Sequence, residues 1–513
     1  VNGRYDAIVV GSGAGGGVVA GELAQRGRGV LLIEAGPYKT AADYMRWEAR
    51  ATHEMWWPIA FAEPPAHDQS PVLMFRGRVV GGTTAINTKV ALRPTDQDYE
   101  KWHAAAGLLG DDGQPFSERD LLPHIERVEQ RLGVRRRDDW QQCVHTVVPG
   151  FLANDAHLES VMSYTDVNCM RCGSCLQGCP TNAGKNTLNT YIQPALASGS
   201  LELRADCEVR RVTIEDRGDG LEATGVEYLT PDGRLLRAEA DVVVVAAGTL
   251  ATPSVLIRSG VRDAAGASPS SRLIGHNLGF HPARLIEGLF DDVQDAHMVY
   301  PITAHCMKFQ RDEDGGFVVE ASTVQDPIGF ATALCDEHDR PLWGQELVDA
   351  VRKYRYYTGL LTMVSDENNG TVWVDDGGND RYSFAWSDVE RERIAASTKF
   401  ARDVLEAAGA TRVFQTGVLS THVQGSCRMG SDPERSVVGA HAESHDVRRL
   451  FVGDGSVIPR TLSVNPSLTI MALASRLAEY LDGGEHGYFR RVAAGAATAA
   501  STSDGRTCAM TSG

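Results

Sequence analysis

The chain has 513 residues, 42% of them apolar and 23% charged, which is enough for two or three hydrophobic cores and ordinary for a globular protein. Fifty lysines and arginines against 67 aspartates and glutamates leave a net charge of −17, which argues against nucleic acid or an anionic membrane surface and favours a cationic substrate or partner. No apolar run reaches the ~20 residues that span a bilayer; the first strand starts too early for a secretory leader, and four of the ten cysteines fall within eleven residues, so the expected setting is cytoplasmic and the cysteines read as metal or redox chemistry.

In chain order, "YDAIVVG" predicts a buried strand, "SGAGGG" a tight turn, "VVAGELAQRG" a helix closed by Gly27, and "GVLLIEAG" a second strand. That is the strand–turn–helix–strand unit of a parallel crossover. Residues 41–75, rich in Trp and Pro, read as a long surface excursion. "SERDLLPHIERVEQRLG" predicts a helix capped by Ser117, with apolar spacing at Leu121, Leu122, Ile125 and Val128. A loop-rich stretch with the cysteines follows. Three strand patterns then run from 201 to 247, and "TLATPSVLIRSG" continues as a helix. Between about 281 and 414 the texture changes to the alternation of a half-buried antiparallel sheet, backed by a long helix in "DVERERIAASTKFARDVLEAAGA". "RRLFVGDGSVIP" and "PSLTIMALASRLAEYL" return to the first pattern. Residues 492–513, rich in Ala, Thr, Ser and Gly, predict a disordered tail.

Gly11, Gly13 and Gly16 form G-x-G-x-x-G between a strand and a helix. The first makes the turn, the second admits a pyrophosphate against backbone, and the third lets helix pack on strand. The helix N-terminus, opening at Ala14, faces the phosphates. Glu34 ends the next strand, where a carboxylate binds a ribose hydroxyl. This pattern places a dinucleotide without naming it.

"GRVVGGTTAINTKVALRPTDQDYE", residues 77–100, resembles the first signature of the glucose–methanol–choline (GMC) oxidoreductases, which use FAD to oxidise alcohols. "GTLATPSVLIRSGV" resembles their second signature, with Arg262 where that pattern ends in Gly, and "FVGDGSVIP" their C-terminal flavin strand. The resemblance covers roughly residues 5–485. It implies an α/β fold: a doubly wound, Rossmann-like FAD domain assembled from 1–280 and 415–490, with inserted segments at about 41–75 and 100–195. A substrate domain at 281–414 has an antiparallel sheet backed by helices, and 491–513 form the tail. It also implies flavin contacts from Gly11, Gly13, Ala14, Gly16, Glu34, Arg78, Gly81, Gly82, Thr83, Asn87, Val209, Ala247, Gly248, Asp454, Gly455 and Pro466. Ile86 stands where some relatives carry a flavin-linked histidine, so the FAD is expected to be non-covalent.

Oxidation of an alcohol by hydride transfer needs a base for the hydroxyl proton. His422, in "THVQGSCRMG", falls where the family carries its first active-site histidine, and Asn465, in "SVNPSLTI", at the partner position. His422 is therefore expected to be the base and Asn465 to orient the substrate oxygen. His281, His441 and His445 read as structural.

Cys169, Cys172, Cys175 and Cys179, followed by Pro180, reproduce the C-x2-C-x2-C-x3-C-P run of bacterial ferredoxins. The spacing favours an iron–sulfur cluster, [3Fe–4S] or [4Fe–4S], over free or disulfide-bonded cysteines and over structural zinc. Beside a flavin, such a cluster would carry electrons singly to an external acceptor, as in a dehydrogenase. The resemblance implies a sugar-like alcohol as substrate, since cluster-bearing members of the family oxidise glucose and others the 6′-hydroxyl of aminoglycosides, whose positive charge suits a chain at −17. An oxygen-using oxidase of long-chain alcohols or sterols is the alternative, and an FAD-containing hydroxynitrile lyase the rival from another class.

Overall fold

A computed structural model describes residues 4–64, 71–264, 266, 268–322, 326–484 and 487–489. The tail expected at 492–513 lies outside the described residues.

Strand β1 (Tyr5–Val10) is an aliphatic run that can be satisfied only by burial on both faces. It forms the middle of a parallel sheet. On one side it pairs with β2 (Val30–Ile33), which pairs with β3 (Leu201–Arg204). On the other side, β4 (Glu208–Asp216) and β5 (Leu221–Leu229) lead as an antiparallel meander into β6 (Leu235–Val245), whose "DVVVV" end pairs in parallel with β1. A short strand, Leu450–Val452, extends the parallel sheet beyond β6. The crossover between β1 and β2 is helix α1 (Ala14–Gln25), buried along most of its length. The carboxyl ends of the parallel strands thus converge beside the glycine turn, where doubly wound sheets bind their ligands.

The second sheet is antiparallel at its centre, with β7 (Ala283–Leu289), β8 (Ile302–Cys306), β9 (Phe317–Ser322), β10 (Tyr357–Val364) and β11 (Arg412–Thr416). Two sequence expectations are corrected here. The 41–75 excursion contributes strands Ala60–Ala62 and Val72–Met74, which lengthen this sheet: the second pairs in parallel with Leu419–Ser420 and the first antiparallel with the second. "NGTVWVDD" and "RYSFAWS" leave the sheet and form a separate three-stranded one with His276–Leu278.

Helix α2 (Asp388–Ala407) covers one face of the second sheet. A capping box starts it, Ser387 N–H donating to Glu390 at 2.6 Å and Glu390 N–H to Ser387 Oγ at 3.2 Å; losing such a cap costs about 1 kcal/mol. Its buried positions Ser397, Ala401, Val404 and Leu405 follow helical spacing. Helix Gln142–Ala153 shares that apolar layer, with Val144, Val147 and Phe151 in the same core as Val404 and Leu405. The final helix, α3 (Ser467–Asp482), returns to the first core alongside α1. No helix among the described residues is long and apolar enough to cross a membrane.

Candidate active site

Four glycine-bearing segments meet at the end of the parallel sheet. Gly11 has φ +91°, and any Cβ on it would strike the Ala246 carbonyl. Gly16 sits against the Gly11 carbonyl, so helix and strand approach as the motif requires. Gly82, at φ +53°, would place a Cβ 2.6 Å from Gly13 Cα, which brings the loop after Gly81 onto the first turn. Gly81 N–H donates to Ser12 Oγ at 2.9 Å, and Ser12 in turn donates from N and Oγ to Glu34 at 2.9 and 2.7 Å. Gly36 N–H holds the other Glu34 oxygen at 2.8 Å. Burial pushes the Glu34 pKa up, against these hydrogen bonds and the nearby Arg78 charge.

The remaining expected flavin residues fall around this cradle. Ala14 opens α1. Val209 lies on β4, two residues after Cys207, whose N–H donates to the Glu34 carbonyl at 2.9 Å. Asp454 accepts from Gly248 N–H at 2.8 Å, from Thr252 Oγ at 2.5 Å and from Ser456 N–H at 2.8 Å, tying the second signature to the C-terminal strand. Ala247 N–H donates to the same Thr252 hydroxyl at 3.1 Å. Gly455 lies against Thr249. Thr83 Oγ accepts from Gly77 N–H at 3.0 Å, and the Arg78 guanidinium stacks on Trp57 at 5.0 Å. Asn87 donates to Tyr164 Oη at 2.6 Å, and that hydroxyl lies 3.3 Å from Ser467 Oγ, next to Pro466 at the head of α3. A turn that excludes side chains, a helix N-terminus and an acceptor at the end of β2 suit the pyrophosphate and ribose of FAD. Ile86 is fully buried with Tyr44, Met55, Val79 and Ala85, without a nucleophile at that place.

His422 follows Leu419–Ser420, a short strand paired with β7, and the carbonyl of its neighbour Val423 accepts from Thr249 Oγ of the second signature at 2.8 Å. The His422 Nδ1 is 3.1 Å from Nδ1 of His281, with the rings 5.3 Å apart and tilted by 30°. His281, expected to be structural, is thus the direct neighbour of the candidate base. It precedes β7 at φ +47°, and its Nε2 is buried without a partner. Burial pulls the His422 pKa down to about 4, and burial followed by the charge of His422 pulls His281 well below the usual histidine value. Gln424 binds the segments carrying the two expected catalytic residues, donating to the His422 carbonyl at 3.0 Å and accepting from Leu462 N–H at 3.2 Å. Asn465 is buried, its Oδ1 unpartnered. Next to it is a residue that sequence reading missed. Glu320 of β9 is buried with both carboxyl oxygens outside hydrogen-bond geometry, and burial, eased by the Asn465 amide, pushes its pKa up to about 7.

The cysteine run is only partly as expected. Cys169, Cys172, Cys175 and Cys179 line one cavity with Tyr300 and Gly184, curled by left-handed backbone at Arg171, Gly173, Gly178 and Asn182. All four are free thiols. Among the described residues, however, no three His, Cys, Asp or Glu side chains are drawn together as ligands of one metal ion. The expectation that Cys169, Cys172, Cys175 and Cys179 ligate a metal, as a cluster or as zinc, is therefore not supported by their arrangement among the described residues. The thiols differ in character. Burial pushes Cys175 up to about 12. Burial also raises Cys179, but the Gly184 N–H at 3.2 Å and the Thr181 hydroxyl outweigh it and bring its pKa below the usual value. Buried Lys89 donates to the Thr84 carbonyl in the first signature; burial lowers its pKa to about 8, opposed by Cys175 and Cys179.

Known proteins match the chain over most of its length. The N-terminal GMC oxidoreductase model matches residues 5–283 and the C-terminal one residues 370–474. A long-chain-alcohol oxidase of Arabidopsis thaliana is 24% identical over 92% of this chain and 67% of its own length. Paromamine 6′-oxidase of Streptomyces fradiae is 26% identical over 93% of this chain and 91% of its own. Among solved structures, pyridoxine 4-oxidase from Mesorbium loti superposes with a TM-score of 0.70 at 19% identity, covering 93% of this chain and 99% of that one.

Proposed function

The chain belongs to the GMC oxidoreductase family, as an FAD-dependent oxidoreductase acting on CH–OH donors, and from that premise we propose that it oxidises a hydroxyl of a hydrophilic, amine-bearing, sugar-like substrate to the carbonyl. The observation that carries the reading is the His281–His422 contact at 3.1 Å. Paromamine 6′-oxidase, matched over nearly its whole length, supports the substrate class, as does the charge of −17.

When bound, FAD supplies a two-electron acceptor for the hydride. The protein handles the proton. Two Nδ1 atoms at 3.1 Å bond only if one donates and the other accepts. With His422 donating from Nδ1, its Nε2 lone pair is free to take the hydroxyl proton, and the lone pair on His281 steadies the imidazolium that results. His281 then carries its own proton on Nε2. Asn465 presents an amide to the substrate oxygen as negative charge develops there. The low His422 pKa keeps the ring neutral, and so able to accept a proton, at any pH above about 4.

The cysteine loop forms the second part of the proposal. Four thiols around one cavity, with an N–H donor to Cys179 sulfur and a buried lysine alongside, suit a group larger than a single ion. Cys169, Cys172, Cys175 and Cys179 would hold an iron–sulfur cluster, which would supply one-electron transfer to an outside acceptor. Turnover of paromamine with an artificial acceptor tests the reading: the product should be 2 Da lighter and trap a hydrazine. Absence of a carbonyl product with paromamine, together with one from decanol, would favour the long-chain-alcohol alternative.

A further inference from the structure

Two segments carry the histidine pair, and the backbone between them is not a regular ladder. Gly279 pairs with Gln424 and Ala283 with Leu419, both antiparallel. Three residues, 280–282, therefore face four, 420–423, which is the mismatch of a β-bulge. A bulge leaves ladder groups unpaired and re-aims side chains. Here it turns His281, at φ +47°, against His422, with the two Nδ1 atoms 3.1 Å apart. Left-handed backbone at a residue other than glycine persists only where its surroundings over-determine it.

Side chains hold this bulge. Pro282 has no N–H to give to a ladder. The Phe280 N–H donates to the buried Asp366 carboxylate at 2.6 Å. The Phe280 carbonyl accepts from the hydroxyl of Ser420, and the oxygen of that hydroxyl accepts from the His422 N–H at 3.4 Å. A serine hydroxyl has one proton and two lone pairs, so it serves both at once. It ties the peptide next to His281 to the peptide of His422, straight across the bulge. Ser420 is 0% exposed, and a buried carbonyl that loses its only donor is costly.

We propose that Ser420 is a positioning residue of the reaction, its hydroxyl closing the bulge and holding His281 in hydrogen-bond register with His422. The role rests on the alcohol-oxidising reading above and is exerted through His281. Without the hydroxyl, the Phe280 carbonyl is left unbonded and His281 relaxes from its left-handed backbone, which takes the acceptor away from His422 Nδ1.

The test is a double-mutant cycle followed by anaerobic stopped-flow absorbance of the flavin. The probe is paromamine, or decanol if that is the alcohol that bleaches the wild-type flavin. Ser420→Ala, with FAD content unchanged, should slow reduction at saturating alcohol by roughly ten- to a hundredfold, the effect of misplacing a catalytic group by about 1 Å. In a His281→Ala background the same substitution should cost less than about threefold, since the group it positions is gone. A merely structural role would cost as much in both backgrounds, so equal losses overturn the proposal. So does a Ser420→Ala enzyme that reduces its flavin at the wild-type rate. If Ser420→Ala fails to hold FAD, the cycle is run on Ser420→Cys, which keeps the volume with a much weaker donor, and the same outcomes decide. Equal losses remove the role of Ser420 alone; if neither alcohol bleaches the wild-type flavin, the alcohol-oxidising reading falls and takes that role with it.

Discussion

His281 and His422, 141 residues apart in the chain, meet nitrogen to nitrogen at 3.1 Å. The contact fixes the protonation pattern of the pair, because two protonated Nδ1 atoms would repel and two bare ones could not bond. It converts a lone histidine in a motif into a base with a built-in orienting partner, and the first prediction follows directly. His422→Ala should slow flavin reduction by the alcohol by ~10²–10⁴-fold with FAD content unchanged. His281→Ala should slow it less, and His281→Asn, which keeps an acceptor, should recover part of the loss. Stopped-flow absorbance of the flavin measures all three.

Both rings have depressed pKa values, which sets a direction for pH. The folded protein holds them neutral, while the unfolded chain protonates them near 6.5. The contribution of His422 to stability is therefore complete above about pH 6.5 and is lost as pH falls through about 4, and that of His281 is lost in the same direction as pH falls below the usual histidine range. The rate of flavin reduction should show an acid limb near pH 4 rather than near 6.5. A melting-temperature series from pH 8 to 4 should fall less steeply in His281→Asn than in wild type.

Ile86, buried among apolar neighbours, offers the flavin no bond. Acid precipitation should release the yellow chromophore into the supernatant, and mass spectrometry of the pellet should find unmodified peptide. Flavin retained by the protein would contradict this.

Protein prepared without oxygen should contain iron and acid-labile sulfide, with a paramagnetic signal in one redox state. Cys172→Ser should lose both and slow electron delivery to an artificial acceptor, leaving the alcohol-to-flavin step nearly intact. Wild type free of iron, with an unaltered Cys172→Ser, would make the cysteines structural.

Some of this was legible in the sequence because it is local. G-x-G-x-x-G needs only six residues, and "DVVVV" declares a two-sided burial wherever it lies. The 60–62 and 72–74 strands were not legible, since each is three residues long; the second exists by pairing with residues 419–420 and the first by pairing with the second. Glu320 was hidden by the same alternation that reveals a strand. In "FVVEAS" it reads as a solvent-facing position, whereas its face is covered by another domain bearing Asn465. His281 gave no signal either, as its partner lies in a loop far along the chain. The cysteine spacing was plain, but spacing does not specify how closely four thiols approach one another.

The most direct test of the central claim is the flavin absorbance of anaerobic protein on addition of paromamine. The oxidised flavin band should bleach in wild type, faster than with an equal concentration of decanol, and His422→Ala should retain the band while still binding FAD. A flavin that bleaches with decanol but not with paromamine, or in His422→Ala at the wild-type rate, would contradict it.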